Sequence, residues 1–172
     1  MLYLKEAKRA SAIVAIAACG MISTAAVASA GSGITSEVFV TANLTEDALI
    51  NHDRVKFQTK DPTIVRIQKL TFAAGAYSGW HHHPGLLMVS VQSGQVTLYD
   101  STCGSKTYGP GSPNGSVFVE GHDSAQEARS TAGAVTFVTY VVPSAAPPVF
   151  RIEDTALSCP AALTFRDIPA GN

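Results

Sequence analysis

The chain has 172 residues, with 12 Lys and Arg against 13 Asp and Glu and a formal net charge of −1 at pH 7. Its basic residues are scattered and form no stripe, which excludes the charge pattern of a protein that binds nucleic acid or an anionic membrane surface. The length suits a single domain with its own core.

The N-terminal thirty residues have the pattern of a secretory signal peptide. Lys5, Lys8 and Arg9 make a basic start, residues 10–27 are uncharged and mostly apolar, and Ala28-Ser29-Ala30 has the small residues of a cleavage site. We therefore predict cleavage after Ala30 and a protein that is secreted or held in the cell envelope. The alternative is a membrane anchor, but this Ala-rich run is at the lower length limit for a span.

A second alternative for this segment is a lipoprotein signal. Ile16-Ala17-Ala18-Cys19 resembles a bacterial lipobox, in which the Cys is lipidated and anchors the chain. Cys19 is followed by further apolar residues, which favours the longer signal peptide. Cleavage after Ala30 would leave nine basic and twelve acidic residues, a net charge of −3, and no transmembrane span.

The rest of the chain is divided into an N-terminal arm (31–54), a barrel (55–143) and a C-terminal tail (144–172). In the arm, 37–41 is predicted as a strand, and 44–53 as a helical turn capped by Thr45 or as a loop. Strands of the barrel are then predicted at 55–57, 63–72, 80–83, 86–92, 95–99, 117–120, 125–129 and 134–142. Short strands between Gly/Pro turns predict an all-β sandwich, jelly roll or barrel, and periodicity does not choose among these.

Two cysteines remain after removal of the signal peptide, Cys103 and Cys159. An even number of cysteines in an exported protein indicates a disulfide, with two separate thiols as the alternative. Closing this loop would stabilise the fold by about 4 kcal/mol in the chain-entropy model.

The segment most informative about function is the histidine run His81-His82-His83. Successive side chains of a strand point to opposite faces, so His81 and His83 share one face and His82 lies on the other. Two imidazoles at this spacing can reach one metal ion, whose bonds to nitrogen are about 2.0–2.1 Å long. The alternative is an exposed strand edge without a metal.

The residues around this run resemble the first cupin motif, G-x5-H-x-H-x3-E-x6-G. Gly75, His81, His83 and Gly94 match it, while Leu87 stands at the position of the metal-binding Glu. Residues 115–121 resemble the start of the second motif, which then places Gln126 at the usual third His and Ser130 at the usual Asn. More closely, the chain resembles small exported bacterial cupins, through 79–85, Leu98-Tyr99-Asp100, Cys103 and Cys159-Pro160.

The resemblance implies a double-stranded β-helix, the jelly-roll barrel of cupins, with a divalent transition metal such as Fe, Mn, Zn, Ni or Cu. It implies the ligands His81 and His83, with Gln126 as a weak third ligand. The alternatives for that third ligand are His122 and Glu127, and the sequence places no carboxylate at the metal. The resemblance also implies pairing as a homodimer and a small-molecule ligand or substrate.

The sequence is compatible with three functions. The first is a metal-dependent enzyme acting on a small molecule, such as a dioxygenase or an isomerase, and the second is a non-catalytic small-molecule-binding barrel with a degenerate metal site. The third is an envelope-associated module, which only Cys19 supports. A fold alone cannot decide among these, because function depends on the site.

Overall fold

A computed structural model describes residues 30–121, 123–145, 147–157 and 159 of the chain. The predicted signal sequence up to Ser29, the lipobox with Cys19, His122 and Pro160 lie outside the described residues. The described residues contain twelve strands: β1 (Ser32–Leu44), β2 (Leu49–His52), β3 (Val55–Gln58), β4 (Thr63–Tyr77), β5 (His81–His82), β6 (Leu86–Gly94), β7 (Val96–Asp100), β8 (Ser105–Tyr108), β9 (Val117–Glu120), β10 (Gln126–Ser130), β11 (Ala134–Pro143) and β12 (Ile152–Glu153).

Ten of these strands form a nearly closed antiparallel barrel around one core, and β2 and β3 form a separate two-stranded sheet. One side of the barrel has the order β1-β4-β11-β6-β9, and the other contains β10 with its neighbours β5 and β7, followed by β8 and β12. The long strand β4 joins both sides, because its first part pairs with β11 and its last residues pair with β10. Gly75, with a φ of 76°, lies where β4 passes from one side to the other.

The structure confirms the predicted all-β jelly-roll barrel, and within the described residues it contains no helix. It therefore has no helix there that is long and apolar enough to cross a membrane. The helical turn considered for 44–53 is wrong: β2 and β3 form a hairpin instead, with Asp53 in the left-handed region at a φ of 47°. Asp tolerates this conformation in tight turns, and Ile50 and Val55 are β-branched residues that favour strands.

The core follows the period-two alternation of the strands. Along β11, Ala134, Thr136, Val138, Tyr140 and Val142 are buried and the residues between them are half-buried. Strands β6 and β9 alternate in a similar way, and because they follow β11 in the same side of the barrel, their inward side chains lie beside those of β11. This alternation lines the interior with ordered rows of side chains.

The C-terminal tail returns to the barrel and is fastened there. Strand β12 pairs with β5, so that Ile152 lies opposite His82 and Glu153 opposite His81. Farther on, Cys159 forms a disulfide with Cys103 in the turn between β7 and β8, as predicted. The tail therefore lies against the strand that carries the histidines.

Candidate metal centre

Three buried side chains converge inside the barrel: His81, His83 and Glu120. Each is only 6% exposed. One candidate ligand atom from each residue lies within 4.8 Å of the corresponding atoms of the other two. Two imidazoles and one carboxylate make up the facial ligand set that non-haem iron prefers, and other divalent transition metals bind the same atom types.

The carboxylate comes from a different strand than the cupin motif would suggest. Glu120 is the last residue of β9, and in the antiparallel pairing of β6 with β9 it lies directly opposite Leu87. Leu87 is the residue at the motif position of the metal-binding Glu, and it is fully buried beside the site. Side chains directly opposite in such a pair lie close together on the same face. Glu120 therefore brings a carboxylate to the neighbourhood of the missing one.

Both histidines are oriented by backbone carbonyls. The Nδ1 atom of His81 lies 2.8 Å from the carbonyl oxygen of Gly79, and that of His83 lies 2.6 Å from the carbonyl oxygen of Phe150. A carbonyl oxygen can only accept a hydrogen bond, so each Nδ1 carries the hydrogen. The lone pair of each neutral ring is then on Nε2, the arrangement found in metal-binding histidines with a second hydrogen bond.

The contact between His83 and Glu120 is favourable only with a proton or a cation between the two side chains. His83 Nε2 lies 3.2 Å from Glu120 Oε2, and both side chains are buried. Because Nδ1 already donates to Phe150, a neutral His83 would direct a lone pair at the carboxylate oxygen. A proton between the two atoms, or a cation bound by both, removes this repulsion. The residues therefore fit a divalent metal ion by their chemistry and their geometry.

Electrostatics favour the metal-binding form of His81 and the protonated form of Tyr140. Burial, together with a smaller contribution from the nearby guanidinium of Arg151, lowers the pKa of His81 from 6.5 to about 4. His81 is therefore a neutral ligand at neutral pH. Burial raises the pKa of Tyr140 to about 12, with a further contribution from Glu120. The Tyr140 hydroxyl accepts a hydrogen bond from Gln68 and keeps its own proton to donate.

The three candidate ligands line a cavity of about 610 Å³ inside the barrel. This is within the usual size range of small-molecule sites. Some of the lining residues are exposed to solvent, among them Ser32, Ser36, Tyr77 and Glu153. Arg151 also lines the cavity; it donates to the carbonyl oxygen of Ser78 and forms an ion pair with Glu153.

Some of the predicted site residues lie together at the cavity, and others do not. It brings His81 and His83 together at the cavity, while the backbone alternation turns His82 away, toward Asp154. Gln126 is buried and lies directly opposite His81 in the sheet. Its role as a ligand stays a prediction. The alternative ligand Glu127 forms an ion pair with Arg129 instead, and Ser130 donates to the carbonyl oxygen of Gln95.

Sequence reasoning missed Glu120: it placed no carboxylate at the metal, and the structure brings this one to the site. A signal for it was present in the alternation of β9. Phe118 and Glu120 share one face of the strand, and that face is buried, whereas Val117 and Val119 are exposed. A Glu on the face of a buried Phe predicts an inward carboxylate, which requires a partner because burying a charge is unfavourable.

Comparisons with known proteins concern the fold. No protein-family model matches the chain, and no curated protein matches it in sequence. Among solved structures, it is similar to a cupin-2 domain protein from Rhodospirillum rubrum, with 11% identity and a TM-score of 0.49 over 74% of this chain and 68% of that one. It is also similar to a cupin superfamily protein from Desulfitobacterium hafniense, with 11% identity and a TM-score of 0.44 over 63% and 77% of the two chains.

A third similar structure belongs to an enzyme. Salicylate 1,2-dioxygenase from Pseudoaminobacter salicylatoxidans matches with 13% identity and a TM-score of 0.44, over 66% of this chain and 26% of the other. At these identities the likeness concerns the architecture alone.

Proposed function

We propose that this protein is an exported metal-binding barrel that holds one divalent transition metal through His81, His83 and Glu120 and binds a small molecule next to it. The observation that carries this proposal is the convergence of two carbonyl-oriented imidazoles and one buried carboxylate on the same point of the cavity. When bound, such a metal supplies a Lewis acid and open coordination positions for a ligand.

The cavity supports the small-molecule part of this proposal. It is contiguous with the three candidate ligands, and its volume of about 610 Å³ is large enough for a ligand beside an ion. Tyr140 lines the same cavity and presents a hydroxyl that keeps its proton. A bound molecule could therefore contact both the metal and a hydrogen-bond donor.

Two observations support export. The signal-peptide pattern of the first thirty residues is one, and the disulfide between Cys103 and Cys159 is the other. Disulfides form and persist mainly in oxidising compartments outside the cytosol. N-terminal sequencing of the protein released by its native host tests this part, and the expected first residue is Gly31. A chain that retains residues 1–30 would contradict export, and a mature chain that begins at an acylated Cys19 would contradict cleavage after Ala30.

Elemental analysis of the full chain purified from its native host tests metal binding. We expect about one transition metal per chain, lost in the His81→Ala/His83→Ala variant and in Glu120→Ala. His82→Ala is the matched control, because His82 is adjacent in sequence but turned away from the cavity. It should keep the metal.

A wild-type chain without metal, which also fails to bind added Fe²⁺, Mn²⁺, Zn²⁺, Ni²⁺ or Cu²⁺, would overturn the proposal. His83 and Glu120 would then be joined by a hydrogen bond instead of a metal ion. The non-catalytic binding barrel would become the better account, since the cavity exists with or without the ion.

A further inference from the structure

The cavity has a polarity gradient along the strands. Antiparallel registers arrange its wall in rows, and the row at the metal centre contains Tyr140, Leu87 and Glu120. The next row contains Val138, Val89 and Phe118. Residues with the same orientation along a strand are about 7 Å apart, so each row is one such step farther from the metal centre.

Farther from the metal centre, the lining remains mostly apolar. Leu70 and Phe72 of β4 continue the wall beyond the Val138 row, and Ile34 of β1 lies opposite Phe72. The polar lining residues along these rows are Gln68, which lies opposite Val138 and donates to Tyr140, and Ser36 and Thr136, which both lie opposite Leu70. A ligand that extends along the strands from the metal would therefore bury mainly hydrocarbon.

The charge at the metal centre indicates which chemical group of the ligand would bind there. Two neutral imidazoles and one carboxylate around a divalent ion leave a net charge of +1. Of the described residues that line the cavity, only Arg151 and Glu153 carry further formal charges, and they pair with each other. A single anionic oxygen group on the ligand would neutralise the centre inside a buried, low-dielectric site.

We propose that the cavity binds an amphipathic monocarboxylate, with its carboxylate at the metal and its hydrocarbon chain along Val138, Val89 and Leu70. This inference rests on the proposed metal centre and names the class of molecule that the centre takes. The carboxylate neutralises the ion, and the chain occupies the apolar part of the cavity. Burial of each methylene group should strengthen binding about fourfold.

A homologous series of carboxylates tests the inference on the metal-loaded full chain. Acetate, butanoate, hexanoate and octanoate are titrated by calorimetry, and the affinity should rise by about fourfold for each methylene added until the cavity is filled. Butanol and hexanol, which lack the charge, should bind more weakly than the acids of equal chain length. Equal affinities for acetate and octanoate would overturn the inference.

A pair of matched variants tests where the hydrocarbon chain lies. Val138→Thr replaces a buried methyl group of the cavity wall by a hydroxyl of nearly the same size, and it should weaken octanoate binding severalfold with little effect on acetate. Val119→Thr makes the same change on the exposed face of β9 and should leave both affinities unchanged. Equal effects of the two variants on octanoate would contradict the assignment of the cavity.

The failure of this inference can be separated from the failure of the proposed metal centre. In the His81→Ala/His83→Ala variant, all four acids should bind more weakly, while the ratio between successive acids is retained. A metal-containing wild type without dependence on chain length would overturn only the ligand class. Equal acid binding by wild type and this variant would overturn the role of the metal in recognition.

Discussion

His81 and His83 are two residues apart and equally buried, but different regions of the molecule hold them. The carbonyl that orients His81 belongs to Gly79, in the loop just before it, whereas the carbonyl that orients His83 belongs to Phe150, 67 residues later. The first support is local, and the second depends on the C-terminal tail returning to the barrel. The two halves of one candidate metal centre can therefore be perturbed separately.

The local support is a short network around Ser78. The Ser78 hydroxyl donates to the carbonyl oxygen of Gly79 and accepts from the backbone N–H of Ala128 on β10. This fixes the carbonyl that in turn fixes the His81 ring. The loop brings these groups together over four residues, so little chain entropy is lost in forming the contact.

The distant support is residues 149–154, which we call the C-terminal strap. Phe150 packs edge-on against Tyr140, and the Arg66 guanidinium lies 3.5 Å from the centre of its ring. Asp154 binds His82 through its side chain and the Trp80 carbonyl oxygen through its backbone N–H. Several contacts thus hold the strap over the site, and the disulfide at Cys159 tethers the chain just beyond it.

The largest expected effect comes from removing that tether. The double variant Cys103→Ser/Cys159→Ser should lower the free energy of unfolding by about 4 kcal/mol, because the 56-residue separation gives the unfolded chain much more freedom. It should also loosen the support of His83 and not that of His81. Denaturant unfolding measures the stability, and solvent exchange of the two Nδ1–H protons, followed by NMR, measures the supports.

Single variants are the controls for this experiment. Cys103→Ser and Cys159→Ser should each lower stability by a similar amount, as should a reductant acting on the wild type. Faster exchange at both Nδ1–H protons, by the same factor, would show that the two histidines share one support.

The second-largest expected effect is a pH dependence of stability that comes from His81, the histidine with the local support. The pKa of His81 is about 4 in the folded protein and 6.5 in the ordinary imidazole, so the metal-free folded state binds fewer protons than the unfolded state between these values. The stabilising contribution is fully present above pH 6.5 and is lost as the pH falls toward 4. We expect a loss of about 3 kcal/mol across this window.

The measurement is denaturant unfolding of metal-free protein at a series of pH values. His81→Gln cannot be protonated there, so its stability should fall less steeply between pH 6.5 and 4 than that of the wild type. His52→Gln, on the exposed β2–β3 hairpin, is the matched control and should keep the wild-type slope. Parallel slopes for wild type and His81→Gln would contradict the assigned burial of this residue.

The difference between local and distant supports explains how much of the site could be predicted from the sequence. The strand period puts His81 and His83 on one face whatever the rest of the fold does, so this pair was predictable from local geometry. The pairing of Cys103 with Cys159 was predictable because few cysteines were available. The all-β architecture followed from short strands separated by Gly/Pro turns.

The remainder depended on contacts between distant segments. Glu120 becomes a candidate ligand because β6 and β9 pair in a register that puts it opposite Leu87, and no local pattern specifies that register. The Phe150 carbonyl reaches His83 only after the tail folds back. The hairpin of β2 and β3 was missed because a possible capping residue and acidic residues favoured a helical turn locally, while strand pairing prevailed.

The smallest expected effect tests whether the strap has redundant anchors. Asp154→Ala removes the side-chain hydrogen bond with His82. The two side chains are 20% and 25% exposed, so the loss of stability should be only about 1 kcal/mol or less. Metal content should stay at the wild-type level, because Phe150 remains packed between Arg66 and Tyr140. Denaturant unfolding and elemental analysis of the same preparation measure both quantities.

Combining Asp154→Ala with Cys103→Ser/Cys159→Ser makes a double-mutant cycle for the strap. If the disulfide and the Asp154–His82 pair hold the same segment, each should matter more when the other is absent, and the combined loss should exceed the sum of the separate losses. His83, supported by the strap, should then lose its Nδ1–H protection while His81 keeps its own. Strict additivity would show that the two anchors act on independent parts of the tail, so that Phe150 alone holds His83.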